Sequence, residues 1–210
     1  MAGASLGGMS TMHAQGGLPI PDIEHVDQPY YFEACVEAGE KIDADEFGKK
    51  AAQSLANKID ELGEDRVAAF IAEPIQGAGG VIIPPKTYWP EVGRICKERG
   101  ILLVVDEVIC GFGRTGNLWG CDTYNIDPDI IISSKCLTAG FFPMGAVIVK
   151  KNFAEEFVNL SEEAEEFPHG FTSGGHPVGC AIALKAIDVI INEGLLDNVR
   201  KVSPYFLKRL

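Results

Sequence analysis

The sequence predicts an α/β fold, a mostly parallel sheet with flanking helices, and three observations carry that reading. Four short runs, 67–72 (VAAFIA), 101–105 (ILLVV), 130–134 (IIISS) and 146–149 (AVIV), are largely apolar at consecutive positions instead of alternating. That is the pattern of strands covered on both faces. Segments with helical periodicity separate or flank these runs. The first two runs enclose one such segment, and strand, helix, strand implies a right-handed crossover between parallel strands.

Taken in order, the opening residues 1–21 are rich in glycine and small side chains and read as an ordered loop or a cut end. Residues 45–62 place Phe47, Ala51, Leu55, Ile59 and Leu62 on one stripe, an amphipathic helix. Within 84–100, Trp89, Val92, Ile95 and Cys96 fall at helical spacing, and Gly100 stands where a helix stops. Residues 177–193 are apolar on most sides, which predicts a buried helix ending at Gly194.

Composition narrows the partners. The 210 residues carry a net charge of −12, with 46 % apolar and 23 % charged side chains, as in a soluble globular protein. An acidic balance excludes broad binding to nucleic acid or an anionic membrane surface, yet one local pocket can still take a small anion. Residues 1–40 hold six acids (Asp22, Glu24, Asp27, Glu33, Glu37, Glu40) and no Lys or Arg, so no basic leader is read there. No apolar run approaches the roughly 18–20 residues of a membrane span. The six cysteines show no CxxC pair and no metal-finger spacing with the histidines, which fits reduced thiols in a cytoplasmic protein.

In such sheets ligands bind beyond the carboxyl ends of the strands. Those ends carry Glu73, Asp106, Glu107 and Lys135. A charge there costs desolvation unless it is paired or bound. Gly111 to Gly116 spells G-x-G-x-x-G, but the following NLWGCDTYNIDPD has no helical stripe, so a glycine-rich turn is preferred to a dinucleotide site. Acid–base or metal-assisted hydrolysis by Glu73, Asp106 and Glu107 lacks support, because neighbouring strand residues point to opposite faces. Lys135 either pairs with Asp106 or has a covalent task. Periodicity alone slightly favours the ion pair.

Four ordered segments change that balance: 71–83 (IAEPIQGAGGVII), 104–116 (VVDEVICGFGRTG), 128–146 (PDIIISSKCLTAGFFPMGA) and 169–178 (HGFTSGGHPV). Together they resemble the class III (ω-type) pyridoxal-phosphate aminotransferases of fold type I. The resemblance implies that Lys135 forms the Schiff base with pyridoxal 5'-phosphate and moves the proton in transamination. It implies that Asp106 pairs with the ring nitrogen, that Val108 packs on the ring, and that Glu73 lies near the cofactor. Thr172 matches a threonine that reaches the phosphate of the neighbouring subunit, which implies a homodimer with shared sites.

The implied activity passes an amino group from an amine or ω-amino acid to a pyruvate-like 2-oxo acid. The alternatives are a truncated, non-catalytic fragment of such an enzyme and, more weakly, an NAD-type oxidoreductase. Ile109 stands where many members have Gln, as in the branch acting on amines and ω-amino acids. Cys136 replaces the usual Gly after the lysine, and Gly174 stands where Tyr is common. Trp119 and Phe142 are candidates for the pocket or for packing. On this resemblance residues 1–195 are part of the large, cofactor-binding domain, and 196–210 begin the connection to a small C-terminal domain that is absent.

Overall fold

The computed structural model describes residues 1–164 and 169–210. The chain divides into two units, Met1–Leu103 and Val104–Leu210.

The first unit holds the helices α1 (Ala2–Leu6), α2 (Ser10–His13), α3 (Tyr31–Ala38) and α4 (Ala44–Leu62), then strand β1 (Ala69–Ala72) and helix α5 (Tyr88–Glu98). Its core is the packing of α4 on α5. The stripe read from sequence supplies it: Ala51, Ala52, Leu55, Ala56 and Ile59 of α4 are buried, as are Trp89, Val92, Ile95 and Cys96 of α5. Asp43 caps α4 by accepting the Glu46 amide hydrogen at 2.8 Å. Gly100, at φ +67°, follows the end of α5, where the left-handed conformation terminates a helix without a Cβ penalty. The opening residues form two short helices, where the sequence suggested a loop.

Strand β2 (Leu102–Asp106) lies across the division between the units. In the first unit the Leu102 amide donates to the Ala68 carbonyl at 3.2 Å. In the second, β2 pairs in parallel with β3 (Ile130–Ser133), Asp106 standing opposite Ile132. Between them lies the short helix α6 (Gly120–Tyr124). Strand β4 (Ala146–Val149) then pairs antiparallel with β3, and the sheet order is β1-β2-β3-β4. The helices α7 (Lys151–Ala164), α8 (Pro177–Asn192) and α9 (Leu195–Leu207) complete the unit. Phe112, Leu137, Ala183 and Ile190 form its apolar core, with Leu118, Trp119, Met144, Ile187 and Leu196 packed against them.

Two expectations about burial are corrected. Only β2 is buried as a fully covered strand; Val147 and Ile148 of β4 are 66 % and 42 % exposed. Helix α8 is also not buried all round. It turns Gly179, Ala183 and Ile190 inward, while Val178, Leu184 and Ile191 are exposed. Spacing at i, i+4 and i+11 keeps those three on one stripe, and composition alone could not say that the other faces lack a neighbour among the described residues. Among the described residues no helix is long and apolar enough to cross a membrane.

Candidate active site

The adjacent ends of the parallel strands β2 and β3 bring Asp106 and Lys135 into one neighbourhood. Asp106 ends β2 opposite Ile132, at the strand spacing of about 5 Å, and Lys135 comes three residues after Ile132. The chain leaves β3 at Ser134 and turns into a 3-10 segment, Lys135–Leu137. Lys135 is exposed and has φ +41°, a left-handed conformation that a non-glycine residue adopts only at a cost. Its surroundings over-determine that turn. Leu137 is buried in the core, its amide donates to the Ser134 carbonyl at 2.9 Å, and the Ser134 hydroxyl donates to the Met144 carbonyl at 2.9 Å. Thr138, 2 % exposed, donates its hydroxyl to the Phe142 carbonyl at 2.6 Å.

The Lys135–Asp106 ion pair that periodicity slightly favoured is not formed. Among the described residues no carboxylate pairs with Lys135, and no cation pairs with Asp106. One oxygen of Asp106, Oδ1, accepts the Val108 amide hydrogen at 2.9 Å. Val108 is half-buried two residues beyond. The Ser133 hydroxyl, just before the turn, is buried and has no hydrogen-bond partner.

The other expected residues are placed separately. Thr172 is exposed, in the turn before α8. Glu73 belongs to the first unit, where it follows β1 and its Oε2 accepts the Gly77 amide hydrogen at 2.9 Å. Trp119 and Phe142 make aromatic contacts: Trp119 stacks at a tilt on Phe112, 4.8 Å between centroids, and Phe142 lies against His176 at 5.1 Å. Arg114, which the sequence did not single out, donates from Nε to the Ile109 carbonyl at 2.6 Å, and its guanidinium lies 3.6 Å from the Cys136 sulfur.

The glycine-rich run is a turn, and its glycines have structural reasons. A Cβ on Gly111 would stand 2.7 Å from the Glu107 carbonyl oxygen. Gly113 has φ +100°, which an L side chain rarely adopts. No dinucleotide-type helix opens at Gly116; the next helix is the five-residue α6. Among the described residues no group of three or more His, Cys, Asp and Glu side chains is placed to hold a metal ion.

Among the described residues, an amine without an ion-pair partner, a carboxylate without a cation on the neighbouring strand, and the orphaned buried hydroxyl of Ser133 at the end of β3 suit an aldehyde-bearing, protonatable aromatic group. Pyridoxal phosphate is of that kind. The fold is that of the fold type I transaminases. The model of the family described as aminotransferase class-III matches residues 2–210, and the chain belongs to that family.

Its relatives include the putrescine–pyruvate aminotransferase of Pseudomonas aeruginosa, 49 % identical over 100 % of this chain and 44 % of the relative. The chloroplastic gamma aminobutyrate transaminase 3 of Solanum lycopersicum is 42 % identical over 99 % of this chain and 39 % of its own length. A crystal structure of an aminotransferase from Vibrio fluvialis in its PMP-bound form superposes with a TM-score of 0.89 at 50 % identity, covering 100 % of this chain and 46 % of that one. The chain thus spans less than half the length of these relatives.

Proposed function

We propose that this chain is the cofactor-holding part of a pyridoxal-phosphate aminotransferase that moves an amino group from a primary amine or ω-amino acid to a pyruvate-like 2-oxo acid. The observation that carries the reading is that Lys135 and Asp106, neither in an ion pair among the described residues, come at the adjacent ends of the parallel strands β3 and β2. Relatives named for putrescine with pyruvate and for gamma-aminobutyrate support the donor and acceptor classes. Pyridoxal phosphate, when bound, supplies an aldehyde carbon and an electron-withdrawing ring.

The chain's own residues then have distinct tasks. The Lys135 Nζ is the nucleophile towards the aldehyde and afterwards the base that takes and returns the substrate proton, for which an exposed side chain free to swing is suited. Asp106 holds a proton on the ring nitrogen, which strengthens the ring as an electron acceptor. Val108, half-buried two residues beyond Asp106, would pack on the ring and keep water from one face of it. Glu73, within the first unit, ties the loop 73–77 together through the Gly77 amide. Thr172, exposed in its turn, would be free to reach the phosphate of the partner subunit's cofactor in a cytoplasmic homodimer. Residues 1–195 are part of the large domain of such an enzyme, and 196–210 lead towards its small domain.

The test is chemical. The purified chain is mixed with pyridoxal phosphate and reduced with borohydride, and the modified lysine is located by peptide mapping. Label at Lys135 that disappears in Lys135→Ala is the expected result. Label scattered over surface lysines, with none at Lys135, sinks the assignment. Turnover is measured separately with an amine and pyruvate, because cofactor capture does not depend on a complete substrate pocket.

A further inference from the structure

We propose that Glu107 is a positioning residue that fixes the Asp106 carboxylate; the inference rests on the reading of Asp106 as the partner of the ring nitrogen. Glu107 is fully buried, yet no cation faces it among the described residues. Its carboxylate instead accepts two backbone amide hydrogens at the start of α6, Gly120 to Oε2 at 2.9 Å and Cys121 to Oε1 at 2.7 Å. The Cys121 thiol lies against the same carboxylate, and burial first, then the hydrogen bond to Glu107, pushes its pKa well up. The main chain of Glu107 is equally tied down. Its amide donates to the Ile132 carbonyl at 2.8 Å, which extends the β2–β3 ladder by one bond. Its carbonyl accepts the Gly111 amide hydrogen, also at 2.8 Å.

The Asp106 carboxylate reaches over Glu107 to the Val108 amide. The backbone dihedrals of Glu107 therefore set whether that bond forms, and where the second oxygen, Oδ2, is presented. A five-residue helix does not by itself require a buried glutamate. A local Ser, Thr or Asp caps a helix at far lower desolvation cost, and the residue before α6 is Trp119, which lacks a capping oxygen. Reaching 13 and 14 residues downstream for donors makes sense where the purpose is to anchor the strand end that carries Asp106.

The test uses the full 210-residue chain and the isosteric change Glu107→Gln, which turns one accepting oxygen into a donor facing an amide. Amide hydrogen exchange without cofactor is the first readout. The expected result is loss of protection at Gly120 and Cys121 together with Val108, each exchanging roughly tenfold faster or more, the factor of one lost hydrogen bond of ordinary strength. The second readout is the protonation of the ring nitrogen of bound pyridoxal phosphate, followed by absorbance against pH. It is expected to weaken in Glu107→Gln while labelling of Lys135 persists. Unchanged Val108 protection, with only Gly120 and Cys121 affected, shows a plain helix cap and overturns the inference. Where Glu107→Gln does not fold, Glu107→Asp, which keeps the charge and shortens its reach, is judged by the same two readouts. If the unaltered chain captures no cofactor, the functional reading fails for this chain, and the exchange result alone decides the role of Glu107.

Discussion

Replacing Gly111 with Ala tests the packing that supports the Asp106 side of the site. Gly111 does not need a left-handed backbone, so the substitution acts through space alone. The added Cβ would sit 2.7 Å from the Glu107 carbonyl oxygen and 3.1 and 3.2 Å from two ring carbons of Trp119. The oxygen belongs to the backbone and already accepts the Gly111 amide hydrogen at 2.8 Å, so it cannot step aside without loosening that bond. Overpacking costs about 1–3 kcal/mol. The weakened hydrogen bond adds about 1 kcal/mol. Restricting the unfolded chain returns about 0.4–1 kcal/mol. The net expectation is a loss of about 1–3.5 kcal/mol. Gly140→Ala is the comparison, because nothing lies within 4 Å of its Cβ position and only its φ of +81° opposes the change. That strain alone is worth about 1–2 kcal/mol. Urea unfolding is followed by tryptophan fluorescence in a Trp89→Phe background, so that Trp119 reports the second unit. A Gly111→Ala midpoint equal to that of the unaltered glycine refutes the close-approach reasoning.

Asp106→Asn keeps an oxygen that can accept the Val108 amide hydrogen, so the stability of the chain should change by less than about 0.5 kcal/mol. Ring-nitrogen protonation of captured pyridoxal phosphate should fall strongly, and an unaltered pH titration of the bound cofactor would count against the role of Asp106. Cys121 makes a pH prediction. Its thiol pKa is raised by burial and by Glu107, so the folded state retains a proton that the unfolded chain releases. That contribution is fully present below the unfolded thiol value of about 8.5 and is lost as pH rises above it. The slope approaches about 1.4 kcal/mol per pH unit for one proton. Denaturation midpoints between pH 8 and 10 should fall less steeply in Cys121→Ala, and equal slopes would contradict this origin.

What could be read from the sequence was what repeats locally. The stripe of Ala51, Leu55 and Ile59 and the run 101–105 announce a helix and a buried strand, because period and partner lie within a few residues. The four strands appear where the apolar runs placed them, within a residue or two at each end. Helices α3, α7 and α9 were not anticipated, and α8 was expected to be buried on most sides. An apolar helix face states that it prefers cover but not which part of which molecule provides it. The candidate site followed the same division. Asp106 and Lys135 were visible as charges ending apolar runs, whereas their lack of mutual pairing is a fact of geometry. Glu107 was noticed as an acid but not as an anchor, since its donors belong to a helix too short to show a period.

The two halves of the site differ in how tightly they are held, and the chemistry proposed for them requires that difference. A group that stabilises a charge on a fixed ring gains from being unable to move, because reorienting a carboxylate during reaction costs free energy. On the proposed reading, Asp106 would meet that condition through its hydrogen bond from the Val108 amide and through the anchored backbone of Glu107 between them. A group that attacks, departs and then carries a proton must travel. Lys135 meets that condition differently: its backbone is fixed in a costly left-handed turn by Leu137, Ser134 and Thr138, while its side chain is exposed and carries no ion pair among the described residues. An ion pair between the two would compete with both of the proposed tasks. On the proposed chemistry, the unfavourable φ at Lys135 and the charges left unpaired among the described residues would serve one end: the fold fixes where the amine starts and leaves open where it goes.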